Sequence, residues 1–233
     1  MLPSQGHSPS EGQNDRTGPD DAERWRDASG RLIVVSGPSG SGKSTLTRMA
    51  LLHPRVAPRV SLSISATTRQ PRPGELPGEH YFFLAPDEFR SQIDAGAFLE
   101  WAQVHGNYYG TPADWVLRQL ESGRCVLLEI DVKGAMQVRS RVPSALLVFI
   151  HVGGLGELEK RLRDRGSEDE ATLQRRLANA RAELDAMSNY DIALLNANLD
   201  RSVQELAGIL INHGCGCADQ RPRSTQDSAN IGI

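Results

Sequence analysis

The sequence predicts an α/β domain built on a parallel sheet, and three observations carry that prediction. The apolar, β-branched run Leu32-Ile33-Val34-Val35 leads into a Gly-rich loop and then a helix-like segment, Leu46 to Leu52. Two further runs, Cys125 to Asp131 and Leu146 to Val152, have the length and apolar continuity of strands buried on both faces. Leucines at helical spacing (Leu155, Leu158, Leu162) follow the second of them. A chain of 233 residues has room for one such domain with insertions and a sizeable core.

The loop after the first strand is Gly37-Pro38-Ser39-Gly40-Ser41-Gly42-Lys43-Ser44-Thr45. It matches Gly, four residues, Gly-Lys-Ser/Thr, the spacing of a loop that cradles polyphosphates. Glycines let the backbone curl so that successive N–H groups point inward, and the positive end of the next helix faces the anion. Lys43 supplies a mobile charge for the β- and γ-phosphates, and the Ser44 hydroxyl suits Mg2+.

Composition narrows the remaining classes. A net charge of −3 argues against a nucleic-acid binder held by bulk electrostatics. No apolar run approaches membrane-spanning length, and the N-terminus lacks an apolar signal region, so a cytoplasmic protein with no membrane partner is expected. Three cysteines do not make a disulfide framework. Cys125 reads as a core residue, and His213, Cys215 and Cys217 lack the fourth ligand of a metal site.

In chain order, residues 1 to 29 are rich in Ser, Gly, Pro and Asp with few aliphatics and read as a disordered leader, Trp25 being the one exception. Val60 to Ile64 reads as a second strand. Ser65 to Phe83 is broken by prolines and glycines and carries Arg69 and Arg72 beside hydroxyls. That stretch is either a phosphate clamp or a solvated turn. Asp87 to Ala97 looks helical, and Thr111 has the marks of an N-cap, with Pro112 and Asp114 behind it. Glu129 and Asp131, two apart at a strand end, are expected near the phosphate loop. A stripe from Leu173 to Met187 predicts a helix, Asp191 to Leu195 a last strand, and Asp200 the cap of a final helix through Leu210. From Asn212 onward fraying and disorder are expected.

Taken together, Ser65-Ala66-Thr67-Thr68-Arg69, Arg72, Glu75, Tyr81, Glu100-Trp101-Ala102, Gly106 to Thr111, Glu129-Ile130-Asp131, Arg161-Leu162-x-x-Arg165-Gly166 and Arg176-Leu177 resemble guanylate kinase. The likeness runs from about Arg31 to Leu210. The resemblance implies a three-layer α/β/α P-loop kinase with a small mixed α+β GMP-binding insertion and a helical lid. Its domain would span residues 30–212, with core segments 30–65, 112–162 and 177–212, insertion 66–111 and lid 163–176. Residues 213–233 would form a disordered tail.

The same resemblance implies the site. Arg69, Arg72, Tyr81 and Tyr109 would hold the GMP phosphate, with Glu75 supporting the clamp, while Ser65, Glu100, Thr111 and Asp131 would read guanine. Lys43 and the lid residues Arg161, Arg165 and Arg176 would neutralise the transferred phosphoryl group, and ATP with Mg2+ would occupy the loop. GMP and dGMP are the implied acceptors. The chain departs from the family at Val132-Lys133-Gly134, Gly153-Gly154 and Asn196-Ala197-Asn198. The Asn196 region lies by the adenine in relatives. A kinase of a phosphorylated sugar (the ribose 1,5-bisphosphate type) would need no guanine readers. A non-catalytic binding module would not need an intact phosphate loop. The oligomeric state, a homo-oligomer included, is left open.

Overall fold

The computed structural model describes residues 19–104, 106–164 and 170–214. Its elements are α1 (Pro19–Asp27), β1 (Arg31–Ser36), α2 (Lys43–Leu51), β2 (Val60–Leu62), β3 (Ala66–Thr67), β4 (Phe82–Phe83) and α3 (Pro86–Asp94). Next come β5 (Phe98–Val104), β6 (Asn107–Pro112), α4 (Ala113–Glu121), β7 (Cys125–Glu129), α5 (Val132–Arg141) and β8 (Leu146–His151). After them come α6 (Leu155–Asp164), α7 (Glu170–Asp185), β9 (Ile192–Leu195) and α8 (Leu199–Ile209), and a helical turn over Leu210–Gly214 closes the described residues.

Five strands form a parallel sheet in the order β2-β7-β1-β8-β9. Alternation along β1 divides its side chains between two cores. Ile33 and Val35 join Leu46 and Ala50 of α2 and Val203, Leu206 and Ala207 of α8. Leu32 and Val34 join Val116, Leu117 and Leu120 of α4 and Ala135 and Val138 of α5. Helices therefore cover both faces, which is the three-layer arrangement. The carboxyl ends of β1 and β7 meet at the register pair Val35 and Glu129, directly before the phosphate loop.

A second, mixed sheet in the order β4-β3-β6-β5 stands apart from the first. Its own small core stacks Phe89 of α3 on Phe98 at 4.3 Å and on Tyr108 at 5.4 Å. Gln137 of α5 ties this sheet to the main body: its amide accepts from Trp101 N (3.1 Å) and donates to Trp101 O (2.8 Å). α6 and α7 share a third cluster of Val152, Leu158, Leu162, Leu173 and Ala180.

Four local expectations are corrected. The reading of residues 1–29 as disordered fails over Pro19–Asp27, which is helical, with Trp25 8% exposed in the core beside α4 and Arg24 paired to Glu121. One indole, with about 150–250 Å² to bury, anchors a segment whose mean composition is polar. Thr111 lies in β6 and caps nothing; Pro112 stands at the N-cap of α4 without a side-chain bond. Asn198, not Asp200, caps α8, accepting from Arg201 N at 3.0 Å. α5 follows Asp131 where no helix was anticipated, although Val132, Ala135 and Val138 recur at helical spacing.

The C-terminal end stays helical to Gly214, two residues beyond the expected boundary. A β-carbon at Gly214 would fall 2.8 Å from Cys125 Sγ, so a larger residue would not fit. Cys125 is itself a buried core residue, while Cys215 and Cys217 lie outside the described residues. No described helix is long and apolar enough to cross a membrane.

Candidate active site

The phosphate loop joins β1 to α2 through left-handed glycines: Gly40 has φ 88° and Gly42 φ 87°. A side chain at Gly37 would meet the Ile150 carbonyl at 2.1 Å, so the loop can leave the sheet only as glycine. The N-terminus of α2 has no side-chain cap, which leaves its first amide donors to a bound anion. Lys43 Nζ donates to Gly37 O (2.5 Å) and Pro38 O (3.0 Å), across the loop's own curl. Ser44 donates to the Glu129 carboxylate at the end of β7.

Two residues from later in the chain close on this loop. Asn196, 5% exposed, donates from Nδ2 to Ser41 O at 2.8 Å, and its backbone O accepts from Arg161 Nη2 at 2.8 Å. Glu183 of α7 accepts from the Ser39 N–H and lies near Lys43. Burial pushes the Glu183 carboxyl up, against the opposing pull of Lys43.

A second group sits on the small sheet. Arg69 Nη2 contacts both Glu75 oxygens at 3.0 Å, and Glu75 also accepts from Arg72 N at 2.8 Å. That backbone bond, ahead of the Arg69 pairing, lowers the Glu75 carboxyl. The Arg69 guanidinium lies 5.4 Å from the Tyr81 ring centre, and Tyr81 meets Tyr109 edge-on at 6.2 Å. Arg72 presents its side chain to solvent. A rigid fork beside an exposed cation and two phenols is a setting for a phosphate monoester.

The third group is a buried polar pocket. Thr111 Oγ1 donates to Glu100 Oε1 at 2.6 Å, with both residues closed to water. Asp131 caps α5, accepting from Gly134 N at 2.7 Å. Burial pushes the Glu100 carboxyl up to about 7; the Thr111 bond opposes the rise and the Asp131 charge adds to it. Gly134 backs the pocket: a β-carbon there would lie 2.5 Å from Glu100 Oε2.

A family model described as guanylate kinase matches residues 29–213. This chain belongs to the guanylate kinase family. The guanylate kinase of Synechococcus sp. (strain JA-3-3Ab) is 47% identical over 182 residues, covering 78% of this chain and 82% of that one. The Rubrobacter xylanophilus guanylate kinase is 48% identical over 181 residues, covering 78% and 93%. The crystal structure of guanylate kinase from Anaplasma phagocytophilum aligns with a TM-score of 0.62 at 26% identity, covering 82% of this chain and 89% of that chain.

Against that family frame, the expected residues fall into the three groups just described, with exceptions. Glu129 and Asp131 part company: Glu129 meets Ser44, but β7 ends there, and Asp131 turns with α5 toward Glu100. Ser65 stands just before β3, where its O accepts from Phe82 N at 2.9 Å as part of the sheet pairing. Arg161 reaches Asn196 O, and Arg176 is half-buried on α7. Arg165 lies outside the described residues. Asn196, whose region lies by the adenine in relatives, points its side chain into the phosphate loop. Glu183 and Gln137 were not anticipated. Gln137 had no local signal, and Glu183 reads in sequence as one more charge on an exposed helical face.

Proposed function

We propose that this chain transfers the γ-phosphoryl group of ATP to GMP or dGMP, giving ADP and GDP or dGDP. One observation carries the reading: a buried carboxylate with a hydroxyl partner, Glu100 and Thr111, stands on the same small sheet as the Arg69–Glu75 fork. Guanine offers N1–H and N2–H donors to such acceptors. Adenine has no N1–H and would leave them unpaired. A phosphorylated sugar would make no use of the pocket, so the sugar-kinase reading is not favoured. An intact loop with Lys43 and Ser44 in place speaks equally against a non-catalytic module.

The chemistry asks little covalent work of the protein. An anionic oxygen of the GMP phosphate attacks Pγ of ATP. The bond from Pγ to the β,γ-bridging oxygen breaks, and its electron pair leaves with ADP. No general base is needed, because the nucleophile already carries its charge. Lys43, Arg161, Arg165 and Arg176 offset negative charge as the two anions approach, and the Arg69 clamp orients the acceptor. Lid closure over the pair excludes water that would otherwise accept the phosphoryl group.

The donor set fits Mg2+: a hydroxyl and a carboxylate, Ser44 and Glu129, lie together at the loop. Bound there, Mg2+ would neutralise charge on the β- and γ-phosphates. Ser44 would hold it directly, and Glu129 would orient Ser44.

A coupled ADP-release assay comparing GMP, AMP, UMP and ribose 1,5-bisphosphate tests the assignment. Turnover with GMP far above the other three is expected. No turnover of GMP by protein that still binds ATP would sink it.

A further inference from the structure

We infer that Asn196 is a positioning residue that sets the curl of the phosphate loop and ties that curl to Arg161. The inference rests on ATP occupying the loop, as proposed above.

Asn196 follows β9, and its own N–H donates to His151 O at 2.7 Å, so the end of the parallel sheet locates it. Its side chain is 5% exposed and faces the underside of the loop. A β-carbon on Gly42 would come 2.6 Å from Asn196 Nδ2, so the amide fills the space that glycine leaves. From there it donates to Ser41 O at 2.8 Å.

That bond fixes a peptide plane. Ser41 C=O and Gly42 N–H belong to one peptide unit, and none of the described peptides is cis. In a trans unit the two groups point in opposite directions. Anchoring the carbonyl on Asn196 therefore aims the Gly42 N–H to the other side, as a loop that binds phosphate through backbone donors requires. Only a donor can serve here, because Ser41 offers an oxygen. Asn has one; Asp, ionised, has none.

The backbone of the same residue accepts from Arg161, whose Nε is held by Glu157 at 3.1 Å. The side chain of Asn196 thus sets the donors around a triphosphate, while its carbonyl sets a cation from α6. Loosening the side chain frees both.

The test is steady-state kinetics of Asn196→Ala, Asn196→Asp and Asn196→Ser, with calorimetric ATP binding and melting temperatures alongside. For Asn196→Ala, KM and Kd for ATP are expected to rise about tenfold, while KM for GMP stays within about twofold. Asn196→Asp, which sets oxygen against oxygen, is expected to be worse than Asn196→Ala. Asn196→Ser, with a hydroxyl donor, decides by the same pair of constants if the alanine variant does not fold. Pairing Asn196→Ala with Arg161→Ala is expected to cost less than the sum of the two single changes. Equal rises in both KM values, an unchanged ATP affinity, or additive losses in the pair would overturn the inference. GMP turnover by the unaltered protein tests the underlying assignment separately.

Discussion

Thr111 Oγ1 donates to Glu100 Oε1 across 2.6 Å, in a pocket that water does not reach. Burial raises the Glu100 carboxyl to about 7, and this bond, together with one from the Thr111 backbone, opposes that rise. Asp131 works in the opposite direction. Guanine donors need the ionised form. GMP should therefore bind more tightly as pH rises through the Glu100 pKa, with KM falling about tenfold from one unit below it to one unit above. KM for ATP should not follow. Thr111→Val, which removes the opposing bond, should shift the midpoint to higher pH. A pH-independent KM for GMP would take Glu100 out of base recognition.

Stability carries the same signature. The native carboxyl of Glu100 titrates at about 7 and the unfolded one near its ordinary 4.5. The native state therefore holds the proton more tightly. Its stabilising share is complete below 4.5, is lost as pH climbs to about 7, and stays lost above that. Glu100→Gln has no such loss. Between pH ~5 and pH ~8 the variant should gain on the parent by up to roughly 3 kcal/mol, read from urea unfolding at the two values. The same variant should select GMP less sharply.

The Arg69 fork is held by Glu75 through two 3.0 Å contacts, with the Arg72 N–H as a third tie. Glu75→Gln removes the charge and releases the guanidinium. KM for GMP is expected to rise about tenfold with kcat and KM for ATP little changed, as loss of uniform binding requires. Equal effects on both substrates would point instead to a general loosening of the small sheet.

Lys43 bridges Gly37 O and Pro38 O across the loop, and in the proposed function it neutralises the β- and γ-phosphates. Lys43→Ala should lower kcat by about a hundredfold or more, with GMP affinity nearly intact. An unchanged kcat would remove Lys43 from its central role.

Trp25 lies outside the matched family region yet is 8% exposed in the core. Trp25→Ala should cost about 3 kcal/mol in unfolding free energy and leave kcat untouched. A variant with parental stability would mean that α1 contributes nothing to the fold.

The phosphate loop and the three central strands were legible because each is a local matter. Gly37 to Thr45 announces itself by spacing, and β1, β7 and β8 by unbroken apolar runs. The second sheet was hidden, since β3 and β4 are two residues each and draw their order from partners far along the chain. Thr111 shows the limit most clearly. Its neighbours spell a helix cap, but a buried carboxylate eleven residues away is the stronger partner for its hydroxyl. Asp200 lost its capping role to Asn198 for a plainer reason: the two lie two positions apart and either could serve.

The order of residues alone determined that this chain binds a polyphosphate on a parallel sheet, and it supplied the motifs that mark its family. Those features depend on periodicity and on short runs with a backbone conformation of their own. Tertiary structure decided which groups meet. It put Asn196 beneath Gly42 from 154 positions away, sent Glu129 to Ser44 and Asp131 to α5, and closed Glu100 and Thr111 off from solvent. Burial and hydrogen-bond partnership are properties of packing, and packing is settled only when distant segments compete for the same space.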